Sequence, residues 1–365
     1  MSRARDLADL GGSADAGGLT GRNLIINGAM TVAQRGTSST SAGYQTIDRY
    51  KNAFSGVAVT QSQQTLTSGD PYDAGFRHFY RLANTSVSSA TSAYVQVEQR
   101  FEAQDISKSG WNYKSSSSHI TISFWARSSL AGTYYVQLRT HDGTEYRRNL
   151  SFTLVADTWK KIEVTTAGNS NLQIDNDAEV GLSVFITPHY GSDFTGGEEV
   201  STTDWFDRNG QADAYYPDYA QNWANTTSAT FDITGIQLEV GQKATPFEHR
   251  SFAEELILCE RYYQKTYRYS DAPATNSSDG CVNFTPNNNA DNFSFTFRQR
   301  MRASPPSITT YRKNGTATSS AQRGDNSANY NALTVSSIGP NGFDLSPATT
   351  QARSYRFHYI ADAEL

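Results

Sequence analysis

Strand-length runs in which every second residue is apolar recur along this chain, and they constrain its fold more than any other feature. "SHITISFWARSS" puts Ile120, Ile122 and Phe124 on one face, and "NFSFTFRQ" alternates Phe293, Phe295 and Phe297. "SAYVQVEQRFEAQDI" sets Val95 and Val97 against Tyr94, Gln96 and Glu98. Period 2 is the signature of a half-buried strand. "TYYVQLRT", "EYRRNLSFTLV", "WKKIEVTTAG", "EVGLSVFITPHY" and "SATFDITGIQLEVG" follow at the spacing of a sandwich. These runs predict an all-β chain with a large jelly-roll β-sandwich over 23–245 and a smaller C-terminal β-sandwich over 270–365. In each, the facing sheets share one core.

Composition agrees with that class. Aromatics reach 12%, chiefly 21 Tyr and 18 Phe, which separates the chain from a disordered one. Net charge is only −5 and no basic block stands out, so nucleic acid is not an expected partner. No apolar run reaches the roughly 18 residues of a membrane helix, and the N-terminus lacks the apolar core of a signal peptide. Residues 1–22 differ from the rest: "SRARDLADL" favours helix and "GGSADAGG" is a flexible linker. Nine residues do not hold a helix alone. We expect a docking peptide anchored by Arg5, Leu7 and Leu10, whose two leucines share one helical face.

Residues 246–269 interrupt the β pattern. Pro246 forces an extended residue before it. Ser251 with Glu254 three residues on forms a capping-box pattern. Phe252, Leu256, Cys259 and Tyr263 then recur as one helical stripe, which Leu258 and Tyr262 widen. The pattern predicts a neck helix that gathers equivalent helices from sister subunits. The two cysteines, Cys259 and Cys281, are too few for a disulfide framework or a zinc site, and we expect them reduced.

The six histidines are scattered, and neither a Gly-x-Ser-x-Gly elbow, a P-loop nor a solenoid repeat is present. We therefore expect no catalytic residues, no cofactor and no metal. "Asp175-Asn176-Asp177" and "Asp207-Arg208-Asn209" are explained by turn chemistry without calcium. The densest binding cluster lies in the long loop 191–227. It carries Trp205, Tyr215, Tyr216, Tyr219 and Trp223, with Asp204, Asp207 and Asp218 between them. Aromatic faces stack on the C–H faces of sugars while carboxylates bond their hydroxyls. The bland alternative is that these aromatics plug the sandwich or a seam between subunits. Tyr311, Arg312, Lys313 and Asn314, and the loop Asn287-Asn288-Asn289, are lesser candidates in the C-terminal unit.

Several of these segments also resemble a known family. "NLIINGAMTVAQRG" followed by "IDRY" is similar to the opening of phage tail-fibre and virion head-spike proteins. "VEQRFEAQDISKSGWNYKSSSSHITISFWARSS", "FDITGIQLEVGQKATPFEHR" and "EELILCERYYQ" resemble that family's central and closing motifs, so the likeness runs over about 23–263. It implies a jelly roll of the carbohydrate-binding-module kind and a homo-oligomer, either a trimer as in fibres or a pentamer as at a capsid vertex. It implies mounting on a capsid or tail protein of a phage or gene-transfer-agent particle, with residues 1–22 as the attachment peptide. It further implies attachment to host surface polysaccharide, after synthesis in the bacterial cytoplasm and release by lysis. A polysaccharide-cutting fibre, or an architectural base carrying another receptor-binding protein, is the alternative.

Overall fold

The structure, a computed structural model, describes residues 21–196, 200–208, 214–287, 291–303, 306–325, 330–348 and 353–365, the side chains at 330 and 331 excepted. Arg5, Leu7 and Leu10 of the expected docking peptide lie outside the described residues, as do Asn288, Asn289 and Asn209. The first strands are β1 (Ser38–Ser39), β2 (Lys51–Ser55), β3 (Val59–Thr65), β4 (His78–Asn84), β5 (Tyr94–Glu102) and β6 (His119–Ser128). They are followed by β7 (Gly132–Thr140), β8 (Tyr146–Leu154), β9 (Lys160–Ala167), β10 (Val180–Tyr190), β11 (Phe206–Asp207) and β12 (Thr230–Val240). The C-terminal unit holds β13 (Tyr263–Lys265), β14 (Val282–Phe284), β15 (Phe293–Thr296), β16 (Ser307–Arg312), β17 (Ser320–Arg323), β18 (Tyr330–Gly339), β19 (Gly342–Pro347) and β20 (Tyr355–Asp362). Helices are short: α1 (Asp70–Asp73), α2 (Ala103–Ser107) and α3 (Phe252–Glu260).

Two six-stranded antiparallel sheets make the sandwich, in the orders β1-β3-β4-β12-β6-β9 and β11-β8-β7-β10-β5-β2. The alternation seen in sequence sets which face is inside. Ile120, Ile122 and Phe124 of β6 face Tyr134, Val136 and Leu138 of β7 and Leu182, Val184 and Ile186 of β10 in one core. In β12 the inward positions change parity, from Phe231 and Ile233 to Ile236 and Leu238. A bulge between Thr234 and Gln237 resets the phase. Gly235 sits there at φ +64°, and a Cβ on it would lie 2.5 Å from the Phe76 ring.

The C-terminal unit is β, as expected. Its eight strands form a single sheet, β13-β20-β17-β18-β19-β15 with β14 and β16 also on β20, curled over Phe284, Met301, Phe343, Leu345 and Phe357.

Helix α3 begins where the sequence placed it. The Ser251 amide donates to Glu254 Oε2 at 2.8 Å, and the Glu254 amide donates to Ser251 Oγ at 3.3 Å, which completes the capping box. The expected stripe, however, is not a free surface. The helix ends at Glu260, and Tyr263 lies in β13, paired with Asp362 of β20. Cys259 is fully buried in the chain's own body, Leu256 is half-buried and Phe252 is exposed. Neither cysteine is paired. The buried side of α3 carries two glutamates because each has a partner. Glu255 accepts from the Asn27 amide, and Glu260 pairs with Arg298 at 2.9 Å.

The segments singled out by resemblance meet in one buried junction between the two β units. Gln34 Nε2 donates to Asp48 Oδ2 at 2.6 Å and to the Tyr263 carbonyl at 3.1 Å. Arg35 reaches Asp362 and Glu364 at 3.1 and 3.3 Å and lies 3.7 Å over the Tyr263 ring. Arg49 pairs with Glu364 and lies 3.4 Å over Tyr262. Glu102, 0% exposed, takes two 2.7 Å bonds from Arg261 and a third from the Tyr262 hydroxyl. Lys265 Nζ donates to the carbonyls of Gln34, Tyr269 and Asp271. Buried charge is tolerable only when partnered in this way.

Candidate functional site

The long segment between β10 and β12 folds back over the outer face of the second sheet instead of standing out as a platform. The alternation that sends Tyr134 and Val136 inward turns Tyr135 and Gln137 outward. The loop settles on them. Gln137 and Asn149 amides donate to the Tyr215 carbonyl at 2.9 and 3.1 Å, and the Tyr135 hydroxyl donates to the Asp218 carbonyl at 3.2 Å. Tyr216 is 1% exposed, its ring 4.4 Å from that of Tyr190.

Two of the sequence candidates go deeper still. Trp205 joins the sandwich core, its Nε1 donating to the Ala167 carbonyl at 2.8 Å, and Trp223 is 0% exposed. These two indoles and Tyr216 are therefore not sugar platforms. An aromatic side chain buries about 150–250 Å², at most roughly 4–6 kcal/mol by area, so core burial prevails over display. Tyr215 is half-buried and engaged by Phe194 and by the guanidinium groups of Arg147 and Arg208 at 4.3 and 4.4 Å. Asp204 and Asp207 are exposed; Asp204 accepts from the Trp205 amide in a local turn, and Asp207 ends β11.

Of the eight loop candidates, Tyr219 and Asp218 border an open cleft of about 410 Å³ at one end of the sandwich. One wall is 88–91 between β4 and β5; the other is the end of β10 with residues 218–222. Backbone bonds tie them: Gly191 N to Ala93 O at 2.8 Å, and Asp193 N to Thr91 O at 3.1 Å. The Tyr219 hydroxyl lies 2.6 Å from Thr187 Oγ1, and its ring packs edge-on to Tyr135 at 5.0 Å, which fixes the ring against the cleft. Asp218 is exposed, and its Oδ1 accepts from Thr195 Oγ1 at 2.6 Å. Gly196, at φ +77°, lets that carboxylate approach; a Cβ there would be 3.0 Å from Oδ1.

His189 is 7% exposed, and its Nδ1 has no hydrogen-bond partner among the described residues. Burial pushes its pKa down to about 4, so at neutral pH the imidazole is uncharged and offers one donor and one acceptor. Hydroxyls of Ser88, Thr91 and Ser192 and the Asn222 amide complete the rim. An aromatic ring, one carboxylate and neutral polar groups suit a polyhydroxylated ligand without charge. Among the described residues no group of three or more His, Cys, Asp or Glu is placed to hold a metal ion. Asp177 Oδ1 instead closes a turn onto the Glu179 amide at 3.0 Å.

No protein-family model and no curated protein matches the chain. Solved structures similar to it include a phage tailspike domain and carbohydrate-binding modules. The tailspike protein 4 enzymatically active domain of bacteriophage CBA120 is similar over 60% of this chain and 21% of its own, at 10% identity and a TM-score of 0.34. The chain thus spans about a fifth of the length of that tailspike domain. The family 11 carbohydrate-binding module of a cellulosomal cellulase from Clostridium thermocellum is similar over 59% of this chain and 98% of its own, at 13% identity and a TM-score of 0.28. The xylan-binding domain from Paenibacillus barcinonensis is similar over 57% and 94%, at 11% identity and a TM-score of 0.28.

Asp218 stands in the sequence cluster, but His189, which lines the same cleft, is one of six scattered histidines with no local signal. Thr187 and Pro188 fall in a register shift of β10 against β5 that sets where His189 stands, and such a shift is not written in the alternation. Of the lesser candidates of the C-terminal unit, Tyr311 is structural: it is 9% exposed in β16 and packs edge-on to Tyr267 at 6.0 Å.

Proposed function

We propose that this protein is a non-enzymatic attachment protein on the surface of a phage or phage-like particle, binding host surface polysaccharide. The observation that carries the reading is the cleft in which the fixed Tyr219 ring, the Asp218 carboxylate and the uncharged His189 converge. The ring supplies a stacking face, and the polar groups bond sugar hydroxyls. The motif resemblance over 23–263 supports the setting on a particle, and the outward side of α3 supports self-association. Phe252 and Ile257 are 47% and 50% exposed there, with Tyr269 edge-on to Phe252 at 5.1 Å. Copies joined through that side repeat a shallow cleft, so weak contacts sum to firm attachment. Residues 1–22 dock the copies to a capsid or tail protein, and the particle leaves the bacterial cytoplasm by lysis.

We read binding rather than cleavage because the described lining carries one carboxylate, whereas glycoside hydrolysis ordinarily uses two, about 5–9.5 Å apart. A glycan array with the full chain tests the reading. Retention of neutral oligosaccharides is expected, falling at least about tenfold in Tyr219→Ala, the loss of one stacking aromatic. Absence of retention by the folded protein, or release of reducing ends from polysaccharide, would overturn it.

A further inference from the structure

A second cleft, of about 260 Å³, lies on the outer face of the first sheet and shares no lining residue with the first. Trp125 of β6 stands directly opposite Lys161 of β9, so an indole and an ammonium group are side by side on that face. The facing wall is Phe247 and His249, from the corner after β12. Their rings pack edge-on at 4.8 Å, and both press on Phe76, at 4.8 and 5.1 Å. Gly235, at the β12 bulge, holds the floor in place, since any side chain there would strike Phe76. The His249 Nε2 lies 3.2 Å from the Ala74 carbonyl and donates to it.

Charge separates the two clefts. The first holds Asp218 and no lysine or arginine; the second holds Lys161 and no carboxylate. Lys161 is exposed and has no ion pair among the described residues. Glu163, two residues along β9, is taken by the Ala244 amide at 2.9 Å. The volume falls below the roughly 300–1,000 Å³ of drug-sized sites, so it suits a ring or two.

We propose that this cleft binds an acidic saccharide unit, a carboxylated sugar whose ring lies on Trp125 and whose carboxylate meets Lys161. The inference rests on the reading that the partner is a polysaccharide, and it names an acidic residue within that polymer. Neutral units fill the Asp218 cleft and acidic units fill this one.

The test is calorimetric titration of the full chain with a galacturonic-acid tetramer, a glucose tetramer and a polyglutamate peptide. The acidic tetramer is expected to bind, and Lys161→Gln to weaken it several-fold at low salt, with the difference shrinking at high salt. Trp125→Ala is expected to weaken it at least about tenfold. Tyr219→Ala is expected to leave it unchanged. Lys161 is exposed, so its variant reports on binding even where Trp125→Ala perturbs folding. No binding of the acidic tetramer, equal binding of polyglutamate, or indifference to Lys161→Gln overturns the inference. Acidic-tetramer binding that disappears in Tyr219→Ala also overturns it while sparing the first cleft. Binding lost only in Lys161→Gln, with no neutral-sugar binding anywhere, sinks the first cleft instead.

Discussion

At the scale of single residues, Glu102 shows how this chain handles buried charge. Burial alone would raise its carboxyl pKa, but bonds from Arg261, Tyr262 and Gln104 outweigh that and hold it below the usual carboxylate value. A carboxylate whose folded pKa is depressed adds stability in full above its unfolded value, about 4.3. That contribution is lost as pH falls through the lower, folded value. Glu102→Gln is expected to cost about 2–3 kcal/mol at pH 7, below the figure for a fully enclosed pair because Arg261 is 30% exposed. Urea unfolding at pH 7 and again below pH 4 checks this: the gap between wild type and variant should narrow on acidification. An unchanged gap would mean that the charge on Glu102 is not what holds the junction. Arg49, Glu102, Arg261 and Tyr262 were visible in the sequence as motif residues, but their meeting was not, and Asp362 and Glu364 lie outside those motifs. Arg49 and Glu364 are 315 positions apart, and no local period encodes a contact of that range.

At the scale of elements, legibility followed periodicity. β6 and β7 are readable from alternation because one face of each strand is apolar and the other carries mostly polar side chains, even though several of these, such as Thr121, Ser123 and Gln137, are covered in the fold, and α3 is readable from its cap. The helix's facing was misjudged because an apolar stripe does not disclose which glutamates have partners waiting. Glu255 and Glu260 are buried by virtue of Asn27 and Arg298, which belong to distant segments. For the long loop the sequence left display and burial both open, for a related reason. Whether a loop aromatic is displayed or tucked away depends on what the underlying sheet offers, and Tyr135 and Tyr190 offer a seat. The cap itself is testable. Ser251→Ala removes the bond from the Glu254 amide to Ser251 Oγ and the bond from that hydroxyl to Glu254, while the amide of residue 251 still donates to Glu254; it should cost about 1 kcal/mol, seen as a lower denaturation midpoint with an unchanged slope. Because α3 is tied into the junction, the loss should appear in global unfolding, and a purely local fraying seen by hydrogen exchange would contradict that coupling.

At the scale of the whole molecule, the junction and the outward side of α3 act together. Buried ion pairs lock the C-terminal sheet and the helix to the sandwich, so Cys259 and Tyr263 face inward and cannot meet a sister copy. What remains outward is Phe252, Ala253, Leu256 and Ile257, which share one side of the helix, joined by Tyr269. Three of the five exposed large hydrophobic residues among those described gather there, while Val87 and Val155 stand elsewhere. The proposed self-association places its contact on this apolar cluster. A ring of copies meeting through it would present rigid units, since the helix moves only with the body it is locked to. The expected mass of the purified chain in solution is that of a trimer or a pentamer. Ile257→Asp places a charge in the contact without touching the junction, so it should yield a folded monomer with unchanged thermal unfolding of the single chain and with glycan retention reduced to that of one site. A wild-type chain that is monomeric at every concentration tested would remove the multivalent part of the proposal and leave each cleft to act alone.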